Sequence, residues 1–356
     1  MDSRIREHAK VLADWSTEIG KDDNILIRTS DSAQELVIAL YEEIAKREAK
    51  PLTVFSDNES MRAYLKNYEG ELDTPEHFLA STKKSDVVIS ISSDPNLMAM
   101  NDVHGRKIAD LHRAWKPIQE ERMAKRWCVT QHPTNAQAQM ADMSLEEYKD
   151  FVYGAVLIDW EELHDKQETL REKLNEASQV YIEGPKTEIT LSIEGMIAEN
   201  SDGKKNMPSG EVFTAPVLNS AKGKIFFDKP VIFQGHEIEG VKLTFEGGEV
   251  TDYTANRGEE SLKSLLSTDD GSKRLGELGI GTNRNIDRFT KNILFDEKMG
   301  GTIHMALGRA YEENVGKSQK RNESAIHVDM IKDMSEGKME LDGEPILEKG
   351  KFPWEH

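Results

Sequence analysis

Val180–Gly195 reads VYIEGPKTEITLSIEG. Its two short β-prone runs, VYIEG and TEITLSIEG, each end in glycine, which is the pattern of strands joined by turns. The same pattern continues through GKIFFDKPVIF (Gly223–Phe233) and VKLTFEGGEVTDYT (Val241–Thr254). Within the latter, FEGGEV is a hairpin signal, because Gly247 and Gly248 can take positive φ. One helix, near Glu259–Leu266, interrupts these strands. The second region is therefore expected to be mostly antiparallel and β-rich.

Before this stretch the character differs. NILIRT (Asn24–Thr29), PLTVF (Pro51–Phe55), DVVISIS (Asp86–Ser92) and WCVTQ (Trp127–Gln131) are strand candidates. Helical patterns separate them. Ser32–Arg47 carries Leu36, Val37, Leu40 and Ile44 at helical spacing, and further helices are expected near Ser60–Leu65, Arg106–Arg126 and Ser144–Ala177. Strands alternating with helices predict an α/β domain with a mostly parallel sheet. The expected division is residues 1–178 for this α/β domain and 179–356 for a β-rich α+β domain.

Composition agrees with two domains. At 356 residues, 37% hydrophobic, the chain is long for a single core. A net charge of −19 repels phosphate backbones and argues against a nucleic-acid partner. The apolar runs, such as Ala155–Ile158, are too short to span a bilayer, so no membrane partner is expected. The first residues, MDSRIREHAKVLADWST, form a charged amphipathic helix rather than a signal peptide. Cys128 is the only cysteine, which excludes an internal disulfide and a thiolate zinc site. A cytoplasmic location is the default expectation.

Among ten histidines, His8, His77, His112 and His164 fall in or near charged helical segments and read as surface or helix-cap groups. His104 and His132 lie near strand ends, where α/β proteins place sites; His356 is terminal. HEIEG at His236 has only the first half of a helical metalloprotease signature, and its glycine does not suit a helix.

His304 and His327 are different. GGTIHMALG and SAIHVDMI each hold one histidine in an apolar strand. Alternate strand residues share a face. Ile326, Val328 and Met330 then point to a core, while Ala325, His327 and Asp329 point away from it. In the other strand Ile303, Met305 and Leu307 oppose His304. A salt-bridged strand explains either histidine alone. The pair, together with Asp329, is also half of a metal site. MPSGEVFTAP places Glu211 at the start of a strand after a Pro/Gly turn, and LGELGIGTN places Glu277 in a glycine-rich strand. Both glutamates sit where strands disfavour them. Gly279 and Gly281 are expected to allow close packing.

MPSGEVFTAP, LGELGIGTN, LFDEKMGGTIHMALGRAY and SAIHVDMI resemble, in order, the motifs of the aminopeptidase T family, the thermophilic metallo-aminopeptidases. That resemblance implies a two-domain protein, commonly a homodimer, whose second domain carries two divalent metal ions (zinc, cobalt or manganese) per subunit. By position it implies Glu211, Glu277, His304, His327 and Asp329 as metal ligands, with Glu277 bridging. Tyr311 and Glu277 are the implied catalytic residues. The implied reaction is removal of the N-terminal residue from peptides with a free N-terminus, through a metal-activated bridging water. Two departures are visible: a polar EENVGKSQKRNE segment follows Tyr311, and Val328 stands where the family often has tryptophan.

Two alternatives remain at this stage. One is a mononuclear ferrous ring-cleaving dioxygenase of the dihydroxypyridine type, for which His304, His327 and Asp329 suffice. The other is a non-enzymatic acidic binding protein with structural histidines. A nucleotide-binding enzyme is disfavoured, because the first half has no phosphate loop or glycine fingerprint.

Overall fold

The computed structural model describes residues 1–355; His356 lies outside the described residues. The chain forms two compact units, Met1–Ile158 with Gly203–Pro208, and Asp159–Asp202 with the chain from Ser209 onward. No helix among the described residues is long and apolar enough to cross a membrane.

The first unit is built on a parallel sheet. Its strands are β1 (Asn24–Thr29), β2 (Lys50–Phe55), β3 (Val87–Ser92) and β4 (Arg126–Gln131), in the order β2-β1-β3-β4. The two-residue strand Asn206–Met207 extends it beyond β4. Helices α1 (Ser3–Val11), α2 (Gln34–Lys46) and α3 (Gly105–Met123) belong to the same unit. α2 buries Leu36, Val37, Leu40 and Ile44, the stripe its spacing marks out. α1 starts at Asp2, whose side chain accepts from the Arg4 amide. His8 on α1 is fully buried, contrary to the surface role expected of it. Its Nε2 lies 2.8 Å from Thr130 Oγ1, and that hydroxyl donates to the Met207 carbonyl. A hydroxyl already donating must accept from the ring, so Nε2 carries the proton.

The segment expected as one helix over Ser144–Ala177 is two helices, Leu145–Val156 and α4 (Trp160–Glu176). Asp159 caps the second by accepting from the Glu162 amide, which fixes a new start there. The change of unit falls at this break, and α4 precedes the first antiparallel strand at Gln179.

The second unit contains a seven-stranded sheet that includes the strands from VYIEG, TEITLSIEG and the FEGGEV hairpin. Gly247 and Gly248 do take positive φ at that turn. A second, five-stranded antiparallel sheet runs β9-β8-β7-β6-β5: β5 (Glu199–Ser201), β6 (Glu211–Thr214), β7 (Leu275–Gly281), β8 (Thr302–Gly308) and β9 (His327–Asp333). Both sheets contribute to one core. Ile182, Leu191 and Leu243 come from the first, and Leu278, Ile280, Ile303, Met305 and Met330 from the second. Leu170 and Leu174 of α4 join them. That core occupies one face of β6–β9 and leaves the other for polar side chains.

Candidate metal centre

The register of β6–β9 decides where the charged residues go. Directly opposed residues in an antiparallel pair lie on the same face. Glu211 opposes Gly281, His304 opposes Gly279, and His327 opposes Gly308. Ala306 stands between Glu277 on one side and Asp329 on the other. Each of the five charged residues therefore faces a glycine or alanine, and the small partners leave a hollow on the sheet that the large side chains converge upon. Gly279 shows how tight this is. A Cβ built there would lie 2.0 Å from His304 Cε1. Gly210, at φ +125°, performs a second service: it turns the chain into β6 immediately before Glu211.

The hollow brings all five residues together. His304 Nε2 is 2.9 Å from Glu277 Oε1 and 3.5 Å from Glu211 Oε2. His327 Nε2 is 3.6 Å from Glu277 Oε2 and 3.4 Å from Asp329 Oδ1. Two groups with metal-ligand geometry result, Glu211–Glu277–His304 and Glu277–His327–Asp329, each with donor atoms within 4.8 Å of one another. Glu277 belongs to both.

The donor set fits divalent ions. Glu211 Oε2, Glu277 Oε2 and Asp329 Oδ1 are buried without a hydrogen-bond partner, and such acceptors are costly unless a cation satisfies them. His327 Nδ1 lies 2.7 Å from the Arg309 carbonyl, so Nδ1 donates there and Nε2 is the nitrogen turned toward the carboxylates, where a bound cation would take the place of its proton. That arrangement is the one a metal-ligating imidazole adopts. Carboxylate and imidazole donors without thiolate suit zinc, cobalt or manganese.

Electrostatics point the same way. Burial opposes charge on His304, but its hydrogen bond to Glu277 and the charges of Glu211, Glu277 and Asp329 carry the imidazole up to about 10. His327 is likewise carried against burial, by Asp329 and Glu277, up to about 9. Burial raises Glu277. Burial also works against the Asp329 carboxylate, yet the His327 contact holds it below the usual range. The cluster thus demands positive charge.

Tyr311 follows β8 and reaches the same hollow. Its ring packs 4.9 Å from that of His327 and 6.2 Å from that of Phe213. Burial, followed by the nearby carboxylates, raises its phenol well above the ordinary range, so it stays protonated and able to donate.

Three further residues shape the site and escape the sequence reading. Lys298 is fully buried, 3.3 Å from Glu211 Oε1, and also bonds Glu297 Oε1. Burial opposes its charge, but Glu211 and Glu297 more than offset this and hold it protonated. Glu297 is itself raised by burial to about 7. Gln167 of α4, fully buried, donates to the Glu211 carbonyl at 3.1 Å and to Thr282 Oγ1 at 3.0 Å, which fixes the backbone that carries Glu211. The signal for the lysine was the Glu297–Lys298 pair, separated only by Met299 from the two glycines that precede β8, inside the quoted LFDEKMGGTIHMALGRAY.

Other histidines lie elsewhere. His104 caps α3 by accepting from the Arg106 amide at 3.2 Å. His164 lies 2.7 Å from Asp202, and His236 is exposed in a three-residue strand. None joins the two donor groups.

Among curated proteins, Aminopeptidase 2 of Geobacillus stearothermophilus is 31% identical over 312 residues, covering 73% of this chain and 75% of its own length. Aminopeptidase AmpS of Bacillus subtilis is 27% identical over 99% of this chain and 100% of its own. The solved structure of wild-type AmpT from Thermus thermophilus superposes with a TM-score of 0.86 over 99% of both chains at 23% identity, which establishes the shared fold. The family described as thermophilic metalloprotease (M29) matches residues 1–352, and the chain belongs to that family.

Proposed function

We propose that the hollow on β6–β9 is a dinuclear centre at which this metal-dependent aminopeptidase removes the N-terminal residue of peptides. That the chain is a metallo-aminopeptidase accords with its family and with its aminopeptidase-named relatives. The proposal concerns residues, metal count and substrate. It rests on one observation above all: two three-residue donor groups share Glu277. Glu211 and His304 would hold one ion and His327 and Asp329 the other, with Glu277, common to both groups, available to each. A ferrous oxygenase needs only one such group.

Divalent ions bound there supply Lewis acidity and lower the pKa of water from about 15.7 toward about 7. The chain supplies the rest. Lys298 fixes the outer oxygen of Glu211 and leaves Oε2 directed at His304. Its charge cancels the one Glu297 adds, so four carboxylates and one ammonium leave three negative charges for the metals. The Tyr311 hydroxyl donates a hydrogen bond to the oxyanion that develops on the scissile carbonyl. Peptides with a free N-terminus are the substrates, the subunit pairs as a homodimer, and the protein works in the cytoplasm.

Metal analysis tests the centre. The purified protein is expected to hold close to two zinc, cobalt or manganese ions per chain, and chelation to abolish release of aminoacyl chromogenic groups until one of these is restored. Glu277→Ala is expected to lose metal and activity together. A content near one ion that only iron can replace, or full activity in Glu277→Ala, would overturn the reading.

A further inference from the structure

Arg28 and Arg122 are cations without an anion. The chain has 65 acidic residues against 46 basic ones, so carboxylates are plentiful. Yet neither guanidinium has an ion pair among the described residues, and no carboxylate contributes to the electrostatic surroundings of either. Their partners are aromatic. Arg28, near the end of β1, lies 4.7 Å above the Phe78 ring and 4.9 Å from Trp115. Arg122, in the last turn of α3, lies 4.5 Å above Trp127. Among the described residues, the hydrogen bond of its guanidinium is a 3.9 Å contact with Met123 Sδ.

The two arginines line a single cavity of about 210 Å³ with His112, Trp115, Ile118 and Gln119. His112, Trp115, Gln119 and Arg122 follow one another along α3 at steps of three and four, so they form one helix face. Burial, and then the charge of Arg122, pushes Arg28 down to about 10. Arg122 is lowered by burial as well. Two partly desolvated like charges repel each other, and removing either from water is unfavourable without a counter-ion. A guanidinium fork matches tetrahedral oxyanions through paired N–H donors.

We propose that this pocket of the first unit binds a small phosphate-class oxyanion held between the Arg28 and Arg122 guanidiniums. His112 and Gln119 close the rim, and the Trp115 ring offers an apolar wall to whatever the phosphoryl group carries. The site shares no residue with the metal centre.

The full-length, metal-loaded protein is titrated with inorganic phosphate and with phenyl phosphate at constant ionic strength in sodium chloride. Calorimetry and tryptophan fluorescence are read together. One saturable site per chain is expected, with a fluorescence change from Trp115 and Trp127. Tighter binding of phenyl phosphate identifies an organic phosphate as the ligand class, and equal binding identifies the free ion. Arg122→Gln and Arg28→Lys are each expected to weaken binding at least tenfold while peptidase activity stays at the parental level. Absence of saturation overturns the proposal, and so does binding that survives both substitutions, which belongs to another site such as the metal centre. The arginines then serve only as covers on their aromatic neighbours.

Discussion

Glycine at 279 is a condition for histidine at 304. The two are paired across β7 and β8, and both strands are held on their other edges by β6 and β9. With a Cβ placed 2.1 Å from the imidazole Nε2, Gly279→Ala has no room unless the ring turns away. Overpacking of this kind costs about 1–3 kcal/mol. The variant is expected to fold with that loss in a denaturant melt and to retain at least tenfold less metal after dialysis. Parental metal content would show that the ring has other room. Tyr311→Phe separates a different contribution: metal content should be unchanged, while kcat falls about 10²-fold, the scale of one lost oxyanion donor. At this scale polarity in an apolar strand marked the histidines but left a salt-bridged strand open, and it was the motif resemblance that grouped the five residues the sheet brings together. Lys298 and Glu297 were not legible, because a charged pair in a charged chain looks like solvent-facing loop until burial is known.

Elements were legible where they carry a period. α2, the helix Glu259–Leu266 and the strands of VYIEG and TEITLSIEG fall where their patterns place them. The two-residue strand Asn206–Met207 was not visible, since two residues have no period. His8 was misread for a related reason. The charged residues of α1 suggest an exposed helix, but its one buried face carries Ile5, His8 and Ala9. Burial, with a smaller contribution from His132, pushes the His8 imidazole down to about 3. An unfolded histidine takes up a proton near pH 6.5, so acid favours the unfolded chain. The stability is present above about 6.5 and is lost as pH falls toward 3. Between pH 7.5 and 5.5 this group alone costs about 1.4 kcal/mol. Urea unfolding of the parent and of His8→Gln at both pH values isolates it from the carboxylates. The parent should lose about 1.4 kcal/mol more than the variant across that interval; equal losses would mean His8 titrates normally.

The whole molecule carries its negative charge in two places that respond to different ions. Most of the excess of 19 lies on the surface, where salt screens it; the Debye length falls from about 8 Å at 0.15 M to about 3 Å at 1 M. The carboxylates of Glu211 and Glu277 are buried and that of Asp329 is half-buried beside them, and charges so placed are screened much less than exposed ones. The change in pattern near Val180 suggested a division there, whereas the chain changes unit between Ile158 and Asp159 and returns to the first unit at Gly203–Pro208, which depends on packing far along the chain. Removing the metals should therefore lower the melting temperature in a way sodium chloride repairs only in part. A ligand at a thousandfold excess over its dissociation constant stabilises by about 4 kcal/mol per site. Chelated protein is expected to melt several degrees below the loaded form. One molar sodium chloride should recover a minority of that difference, and a slight molar excess of zinc, cobalt or manganese nearly all of it. If sodium chloride alone restored the loaded melting temperature, the charge relieved by metal would be surface charge, and the buried cluster would not be where the ions bind.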